Sequence, residues 1–266
     1  MKDGGPPGPD QVHLWRIDLD GAPSEAPADV LDHTERTRCA ALAQPRSRLR
    51  FAAAHGAMRV VLGRYLSVRP AALVLDYGRW GKPGLAERAS GLRFSLSHSG
   101  SVALLAVTRC REVGVDVEFA RGELDLQRFC GRWFPPDERD LVAAAGPEGG
   151  SQLFLRLWSR KEACVKAAGA RLAHGLHLPV GTCPGPLLVR GTAPPLLGPW
   201  LVRDLDAPPG AAAAVALAGE RPYRVVSYSW PQSLTFPHVN NGQLVEDGGQ
   251  RDRPGSQRTP VRAGLP

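Results

Sequence analysis

One stretch constrains the fold of this chain more than any other, the segment from Trp158 to Gly169. Apolar residues in and just before it recur at helical spacing and form one sector: Phe154, Leu157, Trp158, Val165 and Ala168. Ser151 is suited to cap the start of this helix, and Gly169 is suited to end it in a left-handed conformation. The segment therefore predicts an amphipathic helix that packs one face on a core.

Three ionisable residues distinguish this helix from an ordinary amphipathic one. Lys161 and Glu162 fall within the apolar sector, and Lys166 lies at its edge, four residues after Glu162. Charged groups are seldom buried without a partner such as a metal ion or an anion. A lone pair of this kind is more often a stabilising Glu–Lys contact near a helix end. The helix by itself leaves both interpretations open and favours the structural one.

Segment 113–119 alternates cleanly and predicts a strand with valines on one face and Gly114, Asp116 and Glu118 on the other. Two carboxylates two residues apart on a strand point to the same side and can share a divalent cation. A solvated acidic face explains these two residues equally well. Glu162 would add a third carboxylate and make the set suitable for Mg²⁺, whereas the clustered Cys and His residues of a zinc site are missing.

Composition and charge limit the classes of partner. The 266 residues carry a formal net charge of +7 and the sequence pI is near 9.5, which favours an anionic partner. No zinc-finger spacing or RNA-binding signature occurs, so nucleic acid is the weaker choice. The five cysteines are scattered, and the sequence has neither a secretion signal nor a long apolar run. We therefore expect a cytoplasmic protein with no nucleic-acid or membrane partner.

The chain outside these motifs predicts alternating helices and strands between two disordered ends. Residues 1–11 and 231–266 are rich in Gly, Pro and polar residues, which predicts disorder. Strands are predicted at 13–19, 73–77, 92–100, 102–107, 186–189, 200–206, 212–218 and 223–230. Helices besides the one described above are predicted at 27–43, 45–66, 124–134 and 136–145. These elements predict an α+β fold.

Two longer-range patterns refine this prediction. Segments 93–107 and 201–218 share an outline of a strand, a small polar turn and an apolar strand, which indicates two similar α+β halves. Helix 45–66 has a face rich in arginine, which is usually only solvated but could hold phosphate. A magnesium site beside Lys161, Lys166, His98 and this helix would form a cleft for pyrophosphate.

Single residues and missing motifs set limits on this hypothesis. His98 taken alone is more often a hydrogen-bonded structural histidine, and Lys82 taken alone is more often a solvated loop lysine. The sequence contains no Gly-x4-Gly-Lys-Ser/Thr loop, which argues against ATPases and kinases of that class.

Three motifs stand in the order found in 4′-phosphopantetheinyl transferases, and the chain resembles this family over about residues 12–230. The motifs are Phe94-Ser-Leu-Ser97-His98-Ser99, Gly114-Val-Asp116-Val-Glu118 and Trp158-Ser-Arg-Lys161-Glu162-Ala-Cys-Val-Lys166-Ala-Ala-Gly169. Supporting features are Gly81-Lys82-Pro83, the arginine-rich helix and Phe134-Pro-Pro-Asp-Glu138. The resemblance is closer to the long, monomeric surfactin-synthetase type.

The resemblance implies an α+β fold with two similar halves related by a pseudo-two-fold axis, each an antiparallel sheet packed with helices. The halves would span residues 12–112 and 113–230, with coenzyme A and Mg²⁺ bound between them. The implied reaction transfers the 4′-phosphopantetheine moiety of coenzyme A to a serine of an apo acyl or peptidyl carrier protein and releases adenosine 3′,5′-bisphosphate. The chain would then be a monomeric holo-acyl-carrier-protein synthase.

The matching motifs also imply site residues. Mg²⁺ would be coordinated by the carboxylates of Asp116, Glu118 and Glu162. Glu162 would also act as the base for the carrier serine, directly or through water, so the catalytic residues would be Asp116, Glu162 and Lys166. Lys166 and His98 would hold pyrophosphate oxygens, with Lys161 beside them. The adenosine and its 3′-phosphate would face Lys82, Ser97, Arg48, Arg50 and Arg59.

Two residues depart from the pattern of the family. Ser95 stands where Asn is frequent, and His55 stands where an arginine is frequent in the basic helix. A neutral imidazole at position 55 would weaken the binding of the 3′-phosphate.

Two alternative functions remain. The first alternative is a non-catalytic protein that binds coenzyme A or a carrier on the same scaffold, although such a protein would not need three converging carboxylates. The second, a nucleic-acid-binding module, matches no motif.

Overall fold

The computed structural model of the chain describes residues 5–21, 28–120, 125–183 and 185–230. Its strands are β1 (Gln11–Asp18), β2 (Leu75–Tyr77), β3 (Pro83–Leu85), β4 (Leu92–Ser99), β5 (Val102–Arg109), β6 (Val113–Phe119), β7 (Leu187–Val189), β8 (Trp200–Leu205), β9 (Ala211–Ala218) and β10 (Arg224–Ser229). Its α-helices are α1 (His33–Ala41), α2 (Pro45–Leu66), α3 (Leu126–Trp133), α4 (Pro136–Ala144), α5 (Gly146–Ala168) and α6 (Leu172–Gly175). The predictions of disorder for residues 1–4 and 231–266 lie outside the described residues.

The strands form two four-stranded sheets and one short hairpin. The first sheet has the order β10-β1-β5-β4, the second has the order β6-β9-β8-β7, and β2 pairs with β3. All of these pairings are antiparallel except that of β1 with β10, which is parallel. The prediction of an α+β fold with antiparallel sheets is therefore confirmed.

The same order of elements occurs twice along the chain. A leading strand, a set of helices and a hairpin follow one another as β1, α1–α2 and β4–β5, and again as β6, α3–α6 and β8–β9. In both sheets the second strand of the hairpin lies beside the leading strand. These hairpins correspond to segments 93–107 and 201–218, whereas the pseudo-two-fold axis stays a prediction. Strand β10 comes from the second part of the chain but belongs to the first sheet.

Each large sheet is covered by one long helix, and a third apolar cluster lies between the sheets. Helix α2 packs on the first sheet through residues such as Ala54, Met58 and Leu62, which are buried with Phe94 and Leu105. Helix α5 packs on the second sheet through Leu157, Cys164 and Val165. The third cluster joins residues of both sheets, among them Leu14, Leu104, Val115 and Val215. Within the described ranges, no helix is long and apolar enough to cross a membrane.

Helix α5 is longer than the sequence motif indicated. It begins at Gly146 and ends at Ala168, followed by Gly169 in the left-handed conformation with a φ of 62°, so the predicted C-terminus is confirmed. The predicted cap at Ser151 is wrong, because this residue lies inside the helix and its hydroxyl donates to the carbonyl of Pro147 at 2.9 Å. Pro147 in the first turn starts the helix earlier, since its missing N–H needs no partner there.

Gly114 allows α5 to lie directly on β6. A Cβ atom at this position would stand 2.0 Å from the carbonyl oxygen of Ala163 and 2.4 Å from the amide nitrogen of Ala167, both on α5. Only glycine permits such a close approach of two backbones. Because Gly114 and Asp116 are two residues apart on one strand, the same contact brings α5 over the acidic face of β6.

Candidate active site

The predicted site lies where an edge strand of each sheet meets the other. Strand β4 is the last strand of the first sheet and β6 is the first strand of the second, and the two pack against each other. Helix α5, which follows β6 in the chain, packs across β6. Three elements that are distant in sequence therefore bring their polar side chains to one junction.

A cluster of three side chains occupies this junction, namely those of Ser97 on β4, Asp116 on β6 and Lys166 on α5. The Lys166 ammonium donates to Asp116 Oδ1 at 2.6 Å and to Ser97 Oγ at 2.9 Å. The Ser97 hydroxyl donates to the same carboxylate oxygen at 3.0 Å. The side chain of Asp116 is 5% exposed and that of Lys166 is 30% exposed, so a buried acid faces a cation that solvent can reach. The structure thus joins three of the predicted site residues.

The second oxygen of Asp116 is the notable feature of this cluster. Asp116 Oδ2 is buried and receives no hydrogen bond from the residues that the structure describes. A buried carboxylate oxygen without a donor is costly unless a cation or another donor approaches it. This oxygen therefore has the chemistry of a ligand position for a hard cation.

Glu118 and Glu162, the other two predicted ligands, are both half-buried. Glu118 follows Asp116 on the same face of β6, and Glu162 stands one helical turn before Lys166 on α5. Across the described ranges no three His, Cys, Asp or Glu side chains are arranged to hold a metal ion. The donor set fits Mg²⁺ in chemical type, and its assembly from Asp116, Glu118 and Glu162 stays a prediction.

Lys161 lies elsewhere, which corrects the prediction that it stands beside the pyrophosphate. Its side chain is fully buried, forms an ion pair with Glu138 Oε2 at 2.6 Å and donates to the carbonyl of Leu178. The ammonium also lies 4.6 Å from the centre of the Phe134 ring. Burial lowers the pKa of Lys161, and the charge of Glu138 opposes this shift. At about 100° per residue, positions 161 and 166 are on different sides of α5, so Lys161 points into the core.

Lys82 binds the end of α5 from the β2–β3 loop. Its ammonium is 2.7 Å from Glu112 Oε2 and donates to the carbonyls of Val113 and Ala167, each at 3.2 Å. Burial lowers the pKa of Lys82, and the charge of Glu112 opposes the shift. Lys82 also lines a cavity of about 430 Å³ together with Trp80, Arg93 and Gly169. The residue is therefore not the solvated loop lysine that it would be in isolation.

His98 and Ser97 are neighbours that point to opposite faces of β4. Ser97 faces the junction, whereas His98 is exposed and its ring lies 6.5 Å from that of Phe51 on α2. Phe51 in turn stacks on His55 at 3.9 Å, and His55 Nδ1 is 2.9 Å from Glu35 Oε1. His55, which departs from the family pattern, is thus held by an acid of α1.

The three arginines predicted on the basic helix have different surroundings. Arg59 is fully buried, binds Glu35 and Asp32 at 2.5 Å each and donates to the carbonyl of Leu73, so the prediction that it faces a phosphate is wrong. Its side chain instead joins α1, α2 and the loop before β2. Arg48 donates to the carbonyl of Leu42 at 3.1 Å.

Arg50 forms the most open of these contacts. Arg50 donates through two nitrogens to both oxygens of Asp20, and Arg46 donates to the same carboxylate at 2.7 Å. Hydrogen bonding by Arg50 and Arg46 lowers the pKa of Asp20 to about 2. Arg46 and Arg50 converge on one carboxylate, so the two guanidinium groups have a geometry that can bind an anion.

Several residues that bind predicted site residues or lie beside them were not predicted from the sequence. Asp20 binds Arg50 and Glu112 binds Lys82, and each contact spans 30 positions of the sequence. No local pattern indicates such partners, because each acid lies on a different element. Ser95 was noted as a departure from the family pattern and Ser99 as part of a motif, and neither was assigned to the site, although their alternation with Ser97 indicates one shared face.

Comparison with known proteins supports a common origin with one group of transferases. Residues 112–185 match the model of the 4′-phosphopantetheinyl transferase superfamily. The chain is 38% identical over 214 residues to the 4′-phosphopantetheinyl transferase HetI of Nostoc sp. (strain PCC 7120), which covers 79% of this chain and 89% of the relative. It is also 38% identical over 111 residues to the 4′-phosphopantetheinyl transferase AcpT of Salmonella typhimurium, or 42% of this chain and 56% of the relative.

These matches define the class of the protein as a transferase. The chain belongs to the 4′-phosphopantetheinyl transferase superfamily, so the family and the enzyme class predicted from the motifs are confirmed. Its assignment to the surfactin-synthetase type stays a prediction.

Proposed function

We propose that this enzyme transfers the 4′-phosphopantetheine moiety of coenzyme A to a serine of an apo acyl or peptidyl carrier protein. The reaction depends on Mg²⁺ and releases adenosine 3′,5′-bisphosphate. The attacking serine hydroxyl forms a new phosphoester bond, the pyrophosphate bond of coenzyme A breaks, and a base takes up the serine proton. The proposal includes a monomeric enzyme that acts in the cytoplasm, in keeping with its five free cysteine thiols.

The observation that carries this proposal is the buried Asp116 oxygen beside a lysine at the junction of the sheets. Asp116 Oδ1 is bound by Lys166 and Ser97, while Oδ2 is left for a cation. Phosphoryl transfer needs positioning and charge neutralisation more than covalent chemistry by the protein. A hard cation and an ammonium held side by side supply both requirements for a pyrophosphate group.

The residues of the cluster take distinct tasks in this proposal. Asp116, Glu118 and Glu162 would hold Mg²⁺, which when bound neutralises charge on the pyrophosphate oxygens. Lys166 would release Asp116 in part and hold a pyrophosphate oxygen, since its ammonium is open to solvent. Glu162, half-buried on α5 one turn before Lys166, would accept the proton of the carrier serine, directly or through water.

The remaining groups would bind coenzyme A along both sides of the junction. Ser97, which the motif assigned to the adenosine side, would instead lie beside the pyrophosphate, because its hydroxyl bonds both Asp116 and Lys166. His98 would contact a phosphate oxygen from the exposed face of β4. Lys82, in the wall of the cavity at the end of α5, would face the adenosine. The 3′-phosphate would bind near Arg48 and Arg50, where Asp20 now occupies the arginine pair.

The test is incubation of the enzyme with coenzyme A, Mg²⁺ and a panel of apo acyl and peptidyl carriers. We expect the mass of at least one carrier to increase by one phosphopantetheine moiety, located on a serine. Rates compared across the panel would identify the preferred class of carrier. Unchanged mass of every carrier in the panel would contradict the proposal.

The role of Glu162 is tested by Glu162→Gln. We expect this variant to lose transfer while coenzyme A still raises its melting temperature. The matched control is Glu148→Gln, which changes an exposed acid on the same helix and should transfer at the wild-type rate. Turnover of Glu162→Gln at the wild-type rate would remove the base role.

A further inference from the structure

Strands β4 and β6 meet without forming a β-ladder. They are edge strands of different sheets, and the alternate backbone N–H groups of β6 that do not face β9 point towards β4. Buried N–H groups need an acceptor, because a donor that leaves water without one loses a hydrogen bond and gains none. The junction therefore requires some group of β4 to satisfy the free edge of β6.

Three serine hydroxyls of β4 meet this requirement at regular spacing. Each accepts one backbone N–H of β6 that lies twenty residues later in the chain: Ser95 from Val115 at 3.1 Å, Ser97 from Val117 at 3.4 Å and Ser99 from Phe119 at 3.3 Å. All three serines are less than a tenth exposed. We call these three bonds the serine ladder.

The end of the serine ladder is fixed by packing as well as by hydrogen bonds. Gly100 follows Ser99 in the left-handed conformation, and a Cβ atom there would stand 3.0 Å from the Phe119 ring. The turn after β4 therefore closes on the last residue of β6. Both the hydrogen bonds and this contact hold β6 in one register against β4.

The serine ladder brackets the two acids of β6. Asp116 lies between the bonded amides of 115 and 117, and Glu118 lies between those of 117 and 119. A change of one residue in register would turn both carboxylates to the opposite face of the strand. The hydroxyls of β4 thus determine where the acidic side chains of β6 stand, and Ser97 also donates to Asp116 directly.

We propose that Ser95 and Ser99 are positioning residues for the carboxylates of Asp116 and Glu118. This inference rests on the proposed function, since those carboxylates are the proposed Mg²⁺ ligands. Groups that hold metal ligands in place commonly affect metal affinity or activity by about 10- to 100-fold. The two serines act through the backbone of β6 and do not touch coenzyme A themselves.

The experiment compares Ser95→Ala and Ser99→Ala with Thr108→Val. Thr108 is a suitable control because its hydroxyl is buried on the adjacent strand β5 and makes one hydrogen bond, to the carbonyl of Arg111 at 2.7 Å. For the two serine variants we expect the Mg²⁺ concentration for half-maximal transfer to rise about tenfold, with the KM for coenzyme A unchanged. Thr108→Val should lower the melting temperature and leave the Mg²⁺ concentration for half-maximal transfer unchanged. Ser99→Thr, which keeps the hydroxyl, should need the same Mg²⁺ concentration as the wild type.

Two readouts do not depend on transfer activity. Titration of Mg²⁺ into the protein in the absence of a carrier should show the same loss of affinity, and amide exchange should accelerate at 115 in Ser95→Ala and at 119 in Ser99→Ala. If a wild-type enzyme modified no carrier, the proposed function would fail, while these readouts would still decide the role of the serines. Should Ser99→Ala not fold, Ser95→Ala carries the test. Mg²⁺ affinity and exchange rates equal to those of Thr108→Val would overturn the inference.

Discussion

Helix α5 carries two lysine–carboxylate pairs whose surroundings are opposite. Lys161 and Glu138 are enclosed in the core, with 0% and 4% of their side chains exposed. The ammonium donates to the carbonyl of Leu178, and the carboxylate accepts from the backbone N–H groups of Val180 and Gly181. Lys166 keeps 30% of its side chain exposed, and its partner Asp116 retains a buried oxygen without a hydrogen bond. The two lysines are five residues apart on one helix and have the same 2.6 Å contact with an acid.

The comparison teaches that the chemistry of a pair does not determine its use. A pair enclosed in the core cannot be reached by a ligand that would replace either partner, so it can only stabilise the fold. An open pair beside an unfilled acceptor can exchange its partner for a ligand. Substitutions in the two pairs should therefore separate an effect on stability from an effect on transfer.

The closed pair is tested by Lys161→Met. We expect the free energy of unfolding to fall by about 4 kcal/mol, because Glu138 is left as a buried charge without its cation. The folded fraction should transfer at the wild-type rate, since Lys161 does not reach the junction. Urea unfolding and the transfer rate per folded molecule measure the two effects. A variant that kept its stability and lost transfer would show that Lys161 serves the reaction and not the fold.

The packing that holds the open pair together is tested by Gly114→Ala. The added Cβ would overlap the backbone of α5 at Ala163, so we expect a loss of about 3 kcal/mol and separation of Lys166 from Asp116. Gly131→Ala is the matched control, because it lies in helix α3 with no atom within 4 Å of the new Cβ and should stabilise the protein slightly. Equal melting temperatures of the two variants would contradict the close approach of α5 to β6.

The open pair itself is tested by Lys166→Met. Loss of the ammonium should lower the transfer rate about 100-fold, because a preorganised charge on the pyrophosphate is removed. The free energy of unfolding should also fall, because Asp116 is left as a buried carboxylate, but by less than in Lys161→Met, since the lost ammonium is partly hydrated and Ser97 still donates to Asp116. Rates with saturating coenzyme A and urea unfolding separate these effects. A stability loss as large as that of Lys161→Met, with transfer intact, would make this pair structural as well.

The smallest effect is expected for an exposed contact, that of Asp20 with Arg46 and Arg50. Asp20→Asn should free the arginine pair for a phosphate and lower the Kd for coenzyme A about threefold. The control is Asp140→Asn, which breaks an exposed pair with Arg139 and should leave the Kd unchanged. Calorimetric titration of coenzyme A measures both. Weaker binding by Asp20→Asn would show that Asp20 supports the site and does not compete with the phosphate.

Local periodicity explains most of what could be predicted from the sequence. The bounds of α2 and β6 agree with the predicted segments at 45–66 and 113–119, because helical and alternating patterns depend only on neighbouring residues. The helix predicted at 27–43 is shorter, since α1 begins only after the capping box formed by Asp32 and Glu35. The family motifs were sufficient to predict the family, and hence the enzyme class.

Partners from distant elements explain the errors. Lys161 was expected inside the apolar sector, as observed, but its acid comes from α4 and no pattern on α5 reveals it. Arg59 was assigned to a solvent-facing basic surface, whereas Glu35 and Asp32 draw it into the core from another helix. In both cases a charge that resembles a ligand-binding group is neutralised by an acid more than twenty residues away.

The parallel pairing of β1 with β10 means that the first sheet is complete only when β10 has been synthesised. Within the described residues, β1 is the first strand and β10 is the last, and Trp15 of β1 stacks on Tyr228 of β10 with ring centroids 4.6 Å apart. Until residues 224–229 have been synthesised, β1 presents a bare backbone edge of the kind that recruits other chains. A chain that ended between β9 and β10 would keep Ser97, Asp116 and Lys166 at the junction but expose this edge of β1, and it would therefore be prone to aggregation.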